Sequence, residues 1–297
     1  MKLHFTLALA VAAVILNATA SFAQSSEKAF PTLKQDGRIA VVAHRGFWDC
    51  EAAGFSENSI AALRAAQDNG FWGCECDIHI TADDIVIVNH NNDIEGRMIC
   101  DSRYSDFDGN LLPNGEKRPT LEAYLDNVYP DHRTVIVIEF KAQKDEGRED
   151  LLIDKTMELL RAKGLFDPQA VAFISFSKHI CQRLAKEYPQ FVNQYLSGDL
   201  DPAALEADGI NGIDYHYNKF VEKPQLVQEA HARNMSVNVW TVNDKEMIDR
   251  MISLGVDAIT TNAPLLVRQC LGDREYKTPA ADISGEAGCT DCCGQCH

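Results

Sequence analysis

The chain has 297 residues, 45% of them apolar, and a formal net charge of −16 at pH 7. That length and apolar content support one large α/β domain or two small ones. The acidic balance excludes capture of nucleic acid or an anionic membrane through the general field, so an anionic ligand needs a local positive feature, a metal or an Arg/Lys pair.

Residues 1–23 read as a secretory signal: Lys2 near the start, an apolar run from Phe5 to Leu16, and small residues at Ala18, Ala20, Ser21 and Ala23 for cleavage. The apolar run falls short of the roughly 20 residues a spanning helix needs. No later stretch is apolar enough to cross a membrane. The expectation is an exported protein, periplasmic or secreted, with no integral segment after cleavage. Ten cysteines in that setting point to some disulfides. Cys50 and Cys100 fall in two separate loops and are candidates for one. Cys289, Cys292, Cys293, Cys296 and His297 crowd a Cys-rich tail over residues 272–297, where disulfides or oxidised thiols are favoured over a metal.

The remaining residues, 24–271, form one domain. Gln24 to Gly37 is a polar lead-in. An apolar run from Arg38 to Ala43 reads as a buried strand that ends on His44-Arg45-Gly46. A helix follows over 60–69, closed by Gly70. Gly73 to His90 reads as a hairpin turning at Asp83-Asp84. With those two as the loop, Asp77 lies directly opposite His90, and Glu75 shares their face. Cys74, Cys76 and Ile78 then point the other way. Residues 91–119, rich in Asp, Gly and Asn, read as a loop insertion.

Further on, a short helix starts at Thr120, and Thr134 to Lys141 is a strand ending in Glu139-Phe140-Lys141. Helices are expected over 149–163, 178–187, 202–207, 223–233, 245–254 and 265–271, with strands between them. Setting aside the hairpin return, the strands begin near residues 39, 73, 134, 170, 191, 210, 236 and 258. This rhythm predicts a (β/α)8 TIM barrel with a β-hairpin extension after the second strand, in preference to an open doubly wound sheet. The absence of a glycine-rich phosphate loop argues against nucleotide binding.

Active sites of such barrels lie at the carboxyl ends of the strands. There the sequence places His44, Arg45, Glu75, Asp77, Glu139, Lys141, Trp240 and Asn243, with His90 returned to the same rim. Three carboxylates in one site need compensation, and a hard cation, Ca2+ or Mg2+, takes oxygen ligands of this kind, whereas zinc prefers His or Cys. The bland alternative pairs the acids with Arg45 and Lys141 as salt bridges. Two imidazoles divide proton transfers, and Arg45 and Lys141 supply fixed charge for a phosphate. The combination suits hydrolysis of a small phosphodiester.

These residues resemble the glycerophosphodiester phosphodiesterases, whose barrel is shared with phosphatidylinositol-specific phospholipases C. The matching pieces run in order from His44-Arg45-Gly46 through Ser56-Glu57-Asn58-Ser59, Glu75-x-Asp77, Thr81-x-Asp83, His90, Pro119-Thr120-Leu121-Glu122, Glu139-x-Lys141 and Trp240-Thr241-Val242-Asn243 to Gly255-Val256-Asp257. The resemblance implies His44 and His90 as the acid/base pair, and Glu75, Asp77 and Glu139 as ligands of a divalent cation. It implies Arg45 and Lys141 on the phosphate and Trp240 in the substrate wall, with glycerol 3-phosphate and an alcohol as products. Three positions depart from the family pattern: Asn91 and Asn262 stand where Asp is usual, and Asp84 where Gly is usual. Two other readings compete. One is a lipid-directed phospholipase, sphingomyelinase D-like or phospholipase C-like. The other is a non-catalytic glycerophosphodiester-binding protein, against which the retained histidines and acids weigh.

Overall fold

In the structure, a computed structural model that describes residues 39–272, the β-branched runs pair in parallel and close on themselves. The expected signal sequence, the lead-in, the first residue of the first predicted strand and the tail with its cysteines lie outside the described residues. In chain order the strands are β1 (Ala40–Ala43), β2 (Gly73–Ile80), β3 (Val86–Val88), β4 (Asp93–Ile94), β5 (Arg97–Met98), β6 (Val135–Phe140), β7 (Val171–Ser175), β8 (Asn193–Tyr195), β9 (Gly212–His216), β10 (Ser236–Trp240) and β11 (Ala258–Thr261). β1 pairs with both β11 and β2, and β6 to β11 link β2 back to β11, all in parallel. The result is the expected (β/α)8 barrel. β3 lies antiparallel on β2 as the hairpin extension.

Alternation along the strands sorts the side chains into two cores. Val42, Val135, Val137, Ala172 and Ile174 form the barrel interior. Their neighbours in sequence, among them Val41, Ile136, Ile138 and Phe173, belong to the larger core under the helices. Cys74 and Cys76 lie in that outer core, as expected, and burial pushes the Cys74 thiol up to about 12. The helices are α1 (Ile60–Asp68), α2 (Leu121–Leu125), α3 (Glu146–Ala162), α4 (Lys178–Glu187), α5 (Pro202–Ala207), α6 (Tyr217–Glu222), α7 (Leu226–His231), α8 (Lys245–Leu254) and α9 (Pro264–Leu271). Side chains of Ser59, Thr120, Asp145, Ser177, Asp201 and Asp244 cap six of them by accepting a backbone N–H of the first turn.

Four expectations need correction. The hairpin loop is Thr81–Ile85 and not Asp83-Asp84: Thr81 Oγ1 accepts from Ile85 N at 3.1 Å and donates to Asp83 Oδ1 at 2.7 Å, which widens the turn. The register pairs Ile78 with Val88, so Asp77 faces Asn89, whose N–H donates to the Asp77 carbonyl, and His90 lies one residue further on. The helix expected over 223–233 is only α7, and α6, which precedes it, carries no sequence signal beyond His216 as an unusual cap. Cys50 and Cys100 are free thiols; the Cys50 Sγ turns into its own loop toward the Phe47 carbonyl at 3.2 Å. The insertion after β3 is also more ordered than a plain loop. The β4–β5 hairpin and two short turns close over a small apolar cluster of Ile87, Ile94, Ile99 and Phe107.

Candidate active site

The site is assembled by three turns at the carboxyl ends of the first strands. β1 runs beside β11 with Ala43 opposite Thr261, which brings His44 next to Asn262. His44 Nδ1 lies 2.7 Å from Asn262 Oδ1, and the same oxygen accepts from Trp48 Nε1 at 3.3 Å. An indole nitrogen only donates, so that atom is the amide oxygen and His44 carries its proton on Nδ1. The Nε2 lone pair is left for chemistry. Asn262 is itself held by Asn243, whose Oδ1 accepts from Asn262 N at 2.9 Å and from Thr261 Oγ1 at 3.2 Å. Burial, and after it the charge of Arg45, pushes His44 down to about 4, so it is neutral at neutral pH.

Arg45 and Gly46 turn the chain sharply, with φ of 57° and 78°. The Arg45 N–H reaches Glu75 Oε2 at 2.6 Å. A Cβ on Gly46 would sit 2.7 Å from Ala62 Cβ. Gly46→Ala therefore meets both a strained backbone and a clash, and is expected to cost at least ~2 kcal/mol of stability, read as a lower denaturant midpoint.

The motif Glu57-Asn58-Ser59 divides its work. Glu57 Oε2 accepts from Arg45 Nη1 at 2.7 Å, Asn58 Nδ2 donates to Asp77 Oδ2 at 2.7 Å, and Ser59 caps α1. Sequence reasoning named Asn58 only as part of a resemblance; its buried amide proves to hold Asp77 through two bonds.

Oxygens of Glu75, Asp77 and Glu139 all lie within 4.8 Å of one another, and all three residues are buried. Register explains this: Asp77 pairs with Glu139 across β2 and β6, and Glu75 is one inward position below. Lys141 Nζ sits between two of them, 2.8 Å from Asp77 Oδ1 and 2.7 Å from Glu139 Oε1. Arg45 Nε also lies 3.8 Å from Asp77 Oδ2, so the salt-bridge alternative is partly realised, but two cations, both on Asp77, leave Glu75 without an ion pair among the described residues. Burial works to raise Asp77, yet Lys141, His90 and Asn58 hold it down at about 2. Burial and the Asp77 charge push Glu139 up to about 7, and burial plus its two acidic neighbours pushes Glu75 well above the usual range. Glu75 Oε1 is buried with no hydrogen-bond partner. An orphaned carboxylate oxygen facing two more carboxylates fits a hard cation with oxygen ligands.

His90 is half-buried, with Nδ1 2.9 Å from Asn91 Oδ1, and burial lowers it while Asp77 opposes the shift. Both imidazoles thus present Nδ1 to an asparagine amide, at two of the three positions that depart from the family pattern. His79, not anticipated, has Nε2 3.4 Å from the His90 carbonyl. Trp240 stands apart from the acids on the opposite strands. Its Nε1 donates to the Asp214 carbonyl at 2.9 Å, and Phe176 and His216 pack edge-on against it at centroid distances of 5.5 and 5.2 Å.

Asn262→Asp puts a carboxylate on the His44 Nδ1–H. The opposite charge raises the imidazole, so the acidic limb of kcat/KM is expected to move up by about one pH unit. A pH–rate profile of both proteins checks this.

Two cationic side chains, three buried carboxylates and two imidazoles share one barrel mouth, and the class to which this mouth belongs is the phosphoric diester hydrolases. The chain belongs to the glycerophosphoryl diester phosphodiesterase family, whose sequence profile matches residues 44–266. Among solved structures, it is similar to a glycerophosphodiester phosphodiesterase from Parabacteroides distasonis, 34% identical with a TM-score of 0.76, over 80% of this chain and 98% of that one. It also shares its fold with a phosphodiesterase from Oleispira antarctica solved with the product sn-glycerol-3-phosphate, 21% identical with a TM-score of 0.66, over 79% and 97% of the two chains. Among curated sequences, a glycerophosphodiester phosphodiesterase from Caldanaerobacter subterraneus is 26% identical over 246 residues, 76% of this chain and 95% of that protein. Among the described residues, no helix is long and apolar enough to cross a membrane.

Proposed function

We propose that this site hydrolyses glycerophosphodiesters to glycerol 3-phosphate and an alcohol, with a divalent cation held by Glu75, Asp77 and Glu139. The observation that carries the reading is the partnerless Glu75 Oε1 inside a buried carboxylate triad flanked by two imidazoles. When bound, the cation supplies charge stabilisation on the phosphoryl oxygens. Arg45 and Lys141 orient the phosphate through their fixed charge. His44, neutral and with Nε2 free, takes the proton of the neighbouring glycerol hydroxyl as its oxygen attacks phosphorus; the alcohol leaves, and water then opens the resulting cyclic phosphate to glycerol 3-phosphate. His90 is the better proton donor because the carboxylate beside it, Asp77, stays ionised, whereas His44 has Arg45 as its neighbour. It protonates the leaving oxygen. Trp240 walls the substrate on the far side.

Phosphorus NMR of glycerophosphocholine turnover tests this reading, with Ca2+, with Mg2+ and with chelator. Cation-dependent formation of glycerol 3-phosphate supports it and names the cation. Phosphocholine as the product would move the assignment to phospholipase C-like cleavage, and no turnover of any head-group diester by folded protein would leave a binding role.

A further inference from the structure

A cleft of about 360 Å³ opens beside the triad, between the loop after β1 and the β4–β5 hairpin. His90 and Asn58 line it, so it is continuous with the proposed reaction centre. Trp48 lines it too, and its Nε1 holds the same Asn262 oxygen that orients His44. A volume of this order accommodates a small ligand or one arm of it. A phosphodiester seated on Arg45 and Lys141 has two ester arms, and the cleft is a ready path for one of them on the His90 side.

The lining has a definite chemistry. The loop after β1 contributes Trp48, Phe55 and Glu57; the hairpin contributes Asp93 and Glu95. Against three carboxylates stands one guanidinium, Arg118, tied into the wall through Asn89 Oδ1 at 3.0 Å and the Asn110 carbonyl at 2.7 Å. Glu57 engages Arg45, so the excess charge rests on the hairpin acids.

The backbone also concentrates strain here. Phe55, Asn58 and Glu95 have φ of 55°, 57° and 51°, a region that L side chains avoid, and all three line the cleft. Phe55 is 56% exposed, and Glu95 precedes Gly96 in a turn where Asn or Gly is the usual choice. Neither placement improves the fold, and strain of this kind is retained where a side chain is needed at a site.

We propose that this cleft receives the leaving alcohol and selects a positively charged amino alcohol, with its ammonium group between the Asp93 and Glu95 carboxylates and the rings of Trp48 and Phe55. Carboxylates attract the charge and aromatic faces bind it through their quadrupole. A neutral polyol arm leaves the two carboxylates with Arg118 alone, whose charge already interacts with Glu95. The assignment rests on the glycerophosphodiesterase reading above.

The test is kcat/KM of the full-length protein with glycerophosphocholine, glycerophosphoethanolamine and glycerophosphoglycerol. The cationic diesters are expected to exceed the neutral one by about tenfold or more. The double variant Asp93→Asn/Glu95→Gln keeps acceptors for the Gly96 N–H and the Asn110 amide but removes both charges. It is expected to shrink that ratio about tenfold. Phe55→Ala separates the two head groups. Losses centred on the choline ester assign the site to a quaternary ammonium, and losses in the double variant centred on the ethanolamine ester assign it to a primary one. Equal kcat/KM for charged and neutral diesters in the wild type, or a ratio unchanged in the double variant, overturns the head-group assignment alone. Hydrolysis of none of the three by folded protein overturns the diesterase reading beneath it.

Discussion

His44→Ala is expected to lower kcat by 10²- to 10⁴-fold, the usual contribution of a positioned general base, with KM changed little. The reason lies in the geometry. His44 bonds through Nδ1 to Asn262, which leaves Nε2 for proton transfer. Being neutral, it supplies no charge for holding the phosphate, a task we assign to Arg45 and Lys141. Removing it therefore subtracts proton transfer more than binding. Added imidazole should restore part of the lost rate, an outcome that collapse of the fold would not allow. A variant with full activity, or one whose loss lies wholly in KM, would remove His44 from the chemistry.

Glu75→Gln is expected to act in opposite directions on activity and stability. Activity falls by ~10²-fold or more, because one carboxylate of the three proposed to hold the cation is lost. The metal-free protein becomes more stable by ~1–3 kcal/mol at pH 7, because a buried carboxylate repelled by two others is replaced by an amide. The pH dependence follows from the raised Glu75. From its ordinary value near 4.5 upward, the unfolded chain loses the proton first while the folded form retains it. The wild type then loses stability as pH rises, and the variant lacks that loss. The stability gap should be small near pH 4 and widen toward pH 7. Cation should raise the midpoint of the wild type by mass action and that of the variant much less. Thermal melts of both proteins across pH, with and without cation, read all three effects. A variant destabilised at pH 7 in the absence of cation would show that Glu75 is satisfied within the protein.

What could be read from the sequence depended on periodicity and on position along the strands. The eight barrel strands were legible because short apolar runs recur between helical segments, and the acids and cations at their ends followed once the barrel was accepted. The hairpin register was not, because period-two alternation fixes a face but not a loop length. Thr81 adds residues to the turn with its own side-chain bonds, which no pattern in the strands reveals. His90 still reaches the field of Asp77 from one position beyond the expected pair. The residues that orient the site were the least visible. Asn58, Asn243 and Asn262 act through contacts to elements far off in the chain, and His44 and Asn262 are 218 residues apart. Even so, the unusual asparagines after His90 and after the last strand were conspicuous in the sequence, and both turn out to sit on a histidine Nδ1. α6 was missed because a six-residue helix begun by histidine offers neither a cap signal nor a full amphipathic repeat.

Hydrolysis of a glycerophosphodiester by buried carboxylates holding a cation, together with two imidazoles, is what we propose for this site. It is tested most directly by the rate of glycerol 3-phosphate release from glycerophosphocholine by wild-type, His44→Ala and Glu75→Gln proteins, before chelation, after it, and after cation is restored. Release by the wild type is expected to stop with chelator and to recover with added cation, with both variants slow throughout. Release unaffected by chelator, or undiminished in either variant, would contradict it.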